Sequence, residues 1–193
     1  MRTTRAAVRS KSSAGLGTIH VCSLDRLRKT VERERASHII TLLHDNALAL
    51  TPPSIAPANH LRLTLHDIAS PRLGMVHPGA EHVERILAFV QTWDRSGPMV
   101  VHCLAGISRS TATAFITACA LNPQADEARI ALHLRDLSPT ASPNLLLVEH
   151  ADALLGRQGR MIEAVEAIGY GEPAYEGWPF SLPSEWPADE GRS

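Results

Sequence analysis

Apolar positions recur along the chain with two periods. Residues 18–22 (Thr-Ile-His-Val-Cys) and 38–43 (His-Ile-Ile-Thr-Leu-Leu) are short, apolar and rich in β-branched side chains, the signature of buried strands. Residues 60–65 alternate as His-Leu-Arg-Leu-Thr-Leu, a half-buried strand by period two. Residues 99–101 form a further apolar run that stops at His102 and Cys103. Between these runs the period lengthens. Ser23 is placed to cap a helix whose Leu24, Leu27 and Val31 share one face. Val83, Ile86, Leu87, Val90 and Trp93 stripe a second helix, with Pro78 suited to its first position and Gly97-Pro98 closing it. Residues 110–121 are small or apolar nearly all round, which predicts a helix buried on several sides. Asn122-Pro123 breaks it. Ile130, Leu134 and Leu137 then stripe a helix over 124–137. Ser142-Pro143 opens a third, running to about Leu155, and Met161, Ile162, Val165 and Ile168 mark a short last one. Strands alternating with helices, followed by a helical run, predict an α/β fold. Its centre is a mostly parallel, twisted sheet of four to five strands flanked by helices.

Three stretches follow from composition. Residues 1–17 carry Arg2, Arg5, Arg9 and Lys11 with no apolar segment behind them, so a flexible basic lead-in is expected rather than a secretion signal. Residues 18–168 read as one domain, long enough to bury a core. Residues 169–193 hold Tyr170, Tyr175, Trp178, Phe180 and Trp186 together with four prolines. Such a surface is a liability in water, so this tail is expected to lie extended across the body, or across a second subunit as a homodimer contact.

Charge and cysteine usage narrow the classes. With 19 basic and 20 acidic residues the net charge is −1, which argues against nucleic acid or an anionic membrane as the partner. Cys22, Cys103 and Cys119 show no paired spacing, so a reduced, cytoplasmic setting is expected and no disulfide framework. No run approaches the length of a transmembrane helix. The ten histidines include no pair at ligand spacing on a helix face. His77 and Glu81-His82 are one residue too far apart for an inverted zincin pattern. No metal and no cofactor are therefore expected.

The chemistry concentrates at residues 102–110, His-Cys-Leu-Ala-Gly-Ile-Ser-Arg-Ser. A strand precedes them and a helix follows. A loop of this kind turns its backbone N–H groups toward one point, and the next helix aims its positive end at the same point. A dianion fits there. Cys103 would lie under it as a thiolate, and the planar fork of Arg109 can hold two of its oxygens. The spacing alone is weak, because Cys22 and Arg28 repeat it. That second copy lacks the glycine and puts Asp25 where an anion would sit.

The full stretch, His102-Cys103 through Gly106 to Arg109-Ser110, resembles the signature loop of the cysteine-based protein tyrosine phosphatases, in a compact, dual-specificity-like, bacterial-type form. A weaker resemblance in the order of elements covers roughly residues 18–168. The resemblance implies the dual-specificity-phosphatase-like version of the α/β fold. It implies that Cys103 attacks phosphorus, that Arg109 and the amides of Leu104, Ala105, Gly106, Ile107 and Ser108 hold the equatorial oxygens, and that Ser110 assists departure of the sulfur. His102 is implied to position the loop and keep Cys103 ionised. Such chemistry needs a carboxylic acid on a loop outside the cradle. Asp67 follows a strand at the head of a Pro/Gly/Ser-rich loop, 36 residues before Cys103, as the family's general acid does, although His-Asp-Ile replaces Trp-Pro-Asp. Asp45 is its competitor. Asn144, in Ser-Pro-Asn, resembles an asparagine near the site of compact phosphatases.

The expected activity is hydrolysis of phosphotyrosine or related phosphomonoesters through a phosphocysteine. Leu104, Ala105 and Ile107 leave the variable loop positions without a basic residue, which favours a phosphorylated protein or a small aryl phosphate over polyphosphorylated inositols. Two alternatives stand: a catalytically inactive phospho-binding module on the same fold, and a rhodanese-type sulfurtransferase. Cys22 could trap an oxidised Cys103, although a small buried hydrophobe is the plainer role for Cys22 and Cys119.

Overall fold

The computed structural model describes residues 17–45 and 49–189. The basic lead-in up to residue 16 and the last four residues of the tail lie outside the described residues. The predicted alternation is present. The elements run β1 (Thr18–Ser23), α1 (Leu27–Glu34), β2 (His38–Leu43), β3 (His60–Thr64), α2 (Ala80–Thr92), β4 (Met99–Cys103), α3 (Arg109–Leu121), α4 (Glu127–Leu137), α5 (Leu145–Leu154), α6 (Arg160–Ile168) and β5 (Phe180–Pro183). The sheet order is β3-β2-β4-β1-β5. The first four strands pair in parallel, and β5 runs antiparallel on the edge beside β1.

Period-two alternation sorts the strand side chains onto two faces. Ile19, Val21, Ile40, Leu42, Met99, Val101 and Cys103 join the larger core with residues of α2 to α6. Cys22, Ile39, Leu43 and Val100 face the smaller core under α1 and Ile55. Because β2 and β4 are central, all their residues are buried, which is why they read as continuous apolar runs. Helix α3 passes through the larger core, with every residue from Arg109 to Cys119 buried. The absence of a polar stripe in its sequence has this cause.

Several helix starts differ from those predicted. Helix α1 begins at Leu27, and Ser23 is not its cap; the Ser23 hydroxyl accepts from Arg26 N at 3.3 Å and turns to the C-terminal tail. Helix α2 begins at Ala80 after Gly79, so Pro78 stands just outside it. Helix α4 starts at Glu127, where Asp126 accepts from Ala128 N at 2.9 Å. Helix α5 is capped by Asn144, whose side-chain oxygen accepts from Leu147 N at 3.3 Å, and not by Ser142. Ser142 Oγ instead accepts from Gly171 N.

The tail crosses the body as an extended segment. Thr18 to Val21 pair with Phe180 to Pro183, with Phe180 and Leu182 turned into the core. Each such side chain contributes about 1.5–3 kcal/mol of burial. Beyond β5, Trp186 meets His133 edge-on, and Asp189 N donates to Gln124 O at 2.7 Å. Among the described residues no helix is long and apolar enough to cross a membrane.

Candidate active site

Strand β4 delivers Cys103 to the carboxyl edge of the parallel strands, where ligands of open α/β sheets bind. Its sulfur is nearly inaccessible and sits within reach of two donors, Gly106 N at 3.2 Å and Ser110 Oγ at 3.2 Å. Gly106 lies in the left-handed region with φ 73°. A Cβ there would come within 2.8 Å of the backbone of Cys22 and Ser23, so only glycine allows the loop to close this tightly on β1.

The loop between Cys103 and Arg109 is held by its outer rim. Leu104 O accepts from Leu24 N at 3.1 Å, and Ala105 O from Gly177 N at 2.9 Å. Ile107 O accepts from Ser142 N at 2.9 Å, and Ser108 O from Asn144 N at 3.3 Å. Carbonyls engaged outward leave the N–H side of these peptide planes for the interior of the loop. Ser108 stands at the N-cap of α3 but does not cap it through its side chain. Its hydroxyl donates to Asp67 Oδ1 at 2.6 Å instead, which leaves first-turn N–H groups of α3 for an anion.

Arg109 is buried at the start of α3. Its Nη1 donates to Leu65 O at 2.8 Å, and its Nε lies 3.8 Å from Asp67 Oδ2. That Nε has no hydrogen-bond partner among the described residues. A buried guanidinium N–H in this state is costly, and an oxyanion in the loop would satisfy it. Asp67 therefore comes to the site as the sequence suggested, gripped by Ser108 and by Asn144 Nδ2 at 3.0 Å. Asn144 does two jobs: its oxygen caps α5, and its amide group holds the Asp67 loop through Asp67 and through Ile68 O.

His102 requires a correction. It was expected to keep Cys103 ionised, but burial lowers its pKa to about 4, so its ring is neutral. Alternation places it on the α1 side of the sheet, opposite to Cys103. Its Nδ1 faces Cys103 O at 3.4 Å and its Nε2 meets Thr41 Oγ1 at 2.7 Å. Thr41 Oγ1 also meets His60 Nε2 at 2.7 Å, and His60 Nδ1 meets Thr51 Oγ1 at 2.8 Å. Donor and acceptor accounting gives this row one direction. The carbonyl of Cys103 can only accept, so His102 carries its proton on Nδ1; Thr41 donates to His102, His60 donates to Thr41, and Thr51 donates to His60. His102 thus steadies the backbone under the sulfur. Thr41, His60 and Thr51 were not singled out from the sequence. Their one signal is a polar residue, Thr41, at a central position of an otherwise apolar strand.

The same row has a consequence for stability. His60 is also lowered to about 4, mainly by burial, and His20 and His38 are lowered in the same sense. Unfolded histidines titrate near pH 6.5, so between pH 6.5 and 4 the unfolded chain takes up protons that the folded chain refuses. Stability is therefore expected to fall as pH drops through that window, by about 1.4 kcal/mol per pH unit for each of His102 and His60, with His20 and His38 acting in the same direction. Urea unfolding at pH 7 and pH 4.5 checks this. A His60→Gln variant should lose less stability over the interval than the parent, and equal losses would contradict the assignment.

Cys22 packs in the core on the α1 face, opposite Cys103's face, and burial pushes its thiol up to about 12. Cys119 is pushed up as well. Both are buried thiols rather than thiolates. Among the described residues no group of three or more His, Cys, Asp or Glu side chains gathers as a metal site.

Residues 73–137 match the family model described as protein-tyrosine phosphatase, a span that includes β4, the loop and α3. No curated protein matches the chain by sequence. Solved structures do match in fold. DUSP15 superposes with a TM-score of 0.58 at 17% identity, covering 82% of this chain and 95% of its own. PTPMT1 gives 0.53 at 15% identity, covering 76% and 96%. Human DUSP28 gives 0.52 at 18% identity, covering 72% and 89%. Residues 73–137 are thus similar to the protein-tyrosine phosphatase family, and the fold around them is that of the compact dual-specificity phosphatases.

Proposed function

We propose that the protein is a phosphatase that hydrolyses phosphomonoesters, of phosphotyrosine or of related aryl type, through a phosphocysteine on Cys103. The observation that carries this reading is the buried Arg109 Nε with no hydrogen-bond partner among the described residues, at the end of a loop whose sulfur already receives Gly106 N–H. Substrate phosphate would take that N–H and the inward-facing amides from Leu104 to Arg109. The Cys103 thiolate attacks phosphorus in line, and the three equatorial oxygens stay in the cradle. The bond to the leaving oxygen breaks as Asp67 gives it a proton. Water, activated by the Asp67 carboxylate, then attacks the phosphocysteine, and phosphate departs. The Ser110 hydroxyl donates to the sulfur as it leaves, from the 3.2 Å contact seen here. Ser108 and Asn144 hold Asp67 over the loop, and His102 positions the Cys103 backbone.

Two observations support an enzyme over an inactive binding module. A carboxyl group is present beside Arg109, and it is gripped by neutral donors that fix its place without replacing its proton transfer. The acid role is tested by Asp67→Ala. With an alkyl phosphate, whose leaving group needs the proton, kcat should fall by about 10²–10⁴-fold. With p-nitrophenyl phosphate the loss should be much smaller. Equal losses on both substrates would mean that Asp67 only positions Ser108 and Arg109, and the acid would have to be sought elsewhere.

A further inference from the structure

The phosphate loop is clamped on one side by a segment far away in sequence. After α6 the tail returns to the sheet edge, and on the way residues 176–178 cross the loop. Gly177 N donates to Ala105 O at 2.9 Å. Ala105 C=O and Gly106 N–H belong to one peptide plane, and Gly106 N–H is the group that points at Cys103 Sγ at 3.2 Å. A rigid plane held by its carbonyl has a fixed N–H direction. The tail therefore aims the donor that faces the nucleophile.

Neighbouring residues fix the tail in that place. Glu176 Oε1 accepts from Ser23 Oγ at 2.5 Å and from Arg26 Nε at 3.3 Å. Ser23 is the β1 residue paired in register with Cys103. The same two partners keep the Glu176 carboxyl below its ordinary titration range, so it stays a carboxylate. Trp178 lies against the Arg26 guanidinium, 5.5 Å from its ring centroid. At Gly177 there is no room for a side chain: a Cβ would come within 2.8 Å of Gly106 O and 3.4 Å of Ile107 Cγ1. The atom in the way is loop backbone, which can yield only by rotating the peptides that bind the anion.

We propose that Glu176 and Gly177 are positioning residues of the phosphate loop, so that the C-terminal strap sets oxyanion affinity and turnover in addition to covering the edge of the sheet. This rests on the phosphatase reading for the chemistry that the loop performs. The strap acts through the orientation of the Ala105–Gly106 peptide.

The test uses the full chain with Gly177→Ala and Glu176→Ala, read by three measurements. Vanadate affinity and kcat for p-nitrophenyl phosphate should both fall, by about ten- to a hundredfold for Gly177→Ala, the scale of a small misplacement at a reacting centre. Glu176→Ala should move both in the same direction by less. The backbone amide resonance of Gly106 should shift in each variant, and thermal melting should show both folded at the assay temperature. If Gly177→Ala does not fold, Glu176→Ala carries the same readouts. Folded variants with parental vanadate affinity, parental kcat and an unmoved Gly106 amide would overturn the proposal and leave the strap a cover for the sheet. If the parent itself neither binds vanadate nor turns over substrate, the phosphatase reading fails instead, and the Gly106 resonance still decides whether the strap positions the loop.

Discussion

Cys103→Ser is expected to lower turnover by about 10⁴-fold or more while leaving oxyanion binding intact. The serine hydroxyl would occupy the position of the sulfur, inside the reach of Gly106 N and Ser110 Oγ. At neutral pH a hydroxyl has almost no anionic form, and a group that forms the covalent intermediate cannot be bypassed by the rest of the site. The cradle itself is unchanged. Its outer carbonyls remain bonded to Leu24, Gly177, Ser142 and Asn144, and Arg109 keeps Leu65 O. Vanadate or phosphate should therefore bind the variant about as well as the parent by calorimetry. Undiminished turnover would remove the nucleophile assignment, and loss of binding together with turnover would mean the sulfur is part of the cradle's architecture.

Arg109→Lys is expected to cost about 10²–10³-fold in kcat, the scale found when one preorganised donor to a developing charge is removed. Lysine keeps the charge but loses the fork. Arg109 now spends Nη1 on Leu65 O, which locks the guanidinium plane, and leaves Nε for the anion. A lysine ammonium can make one of these contacts but cannot hold both directions at once. A weaker grip on vanadate should accompany the slower turnover, measured as a raised inhibition constant. If the lysine variant is as fast as the parent, the charge of Arg109 matters and its geometry does not.

The parts of the site that were legible in the sequence are those built locally. An apolar run ending in His102-Cys103, a glycine three residues on and a helix opening at Arg109 specify a strand, a loop and a helix N-terminus within eleven residues. Parallel pairing follows from the same alternation, because strands buried on both faces lose their polar positions. The order in which they pair depends on helix packing and was not readable. Asp67 could be named because a loop acid was required and few carboxyls follow a strand. What grips it could not: Ser108 is named only for its loop amide and Asn144 only for its likeness to an asparagine near the site, and only the approach of three segments turns both toward one carboxylate.

The tail shows a different limit. Phe180-Ser181-Leu182-Pro183 alternates, but four residues with a proline do not identify a strand without a partner edge. Its partner is β1, about 160 residues earlier, and the antiparallel pairing exists because an open edge of the parallel sheet is available there. Glu176 and Gly177 carry no pattern at all. Their importance arises from what they touch. The neutral state of His102 was hidden for a related reason, since a histidine beside a cysteine reads as a charge donor until its burial is known.

The most direct measurement is release of p-nitrophenol from p-nitrophenyl phosphate in buffer containing a metal chelator, with and without vanadate, for the parent and for Cys103→Ser. The expected result is turnover that ignores the chelator, is suppressed by vanadate and vanishes in the variant. Activity that survives in Cys103→Ser would contradict the phosphocysteine route. Vanadate binding without any release of p-nitrophenol would contradict catalysis itself and make the loop a phosphate-binding module.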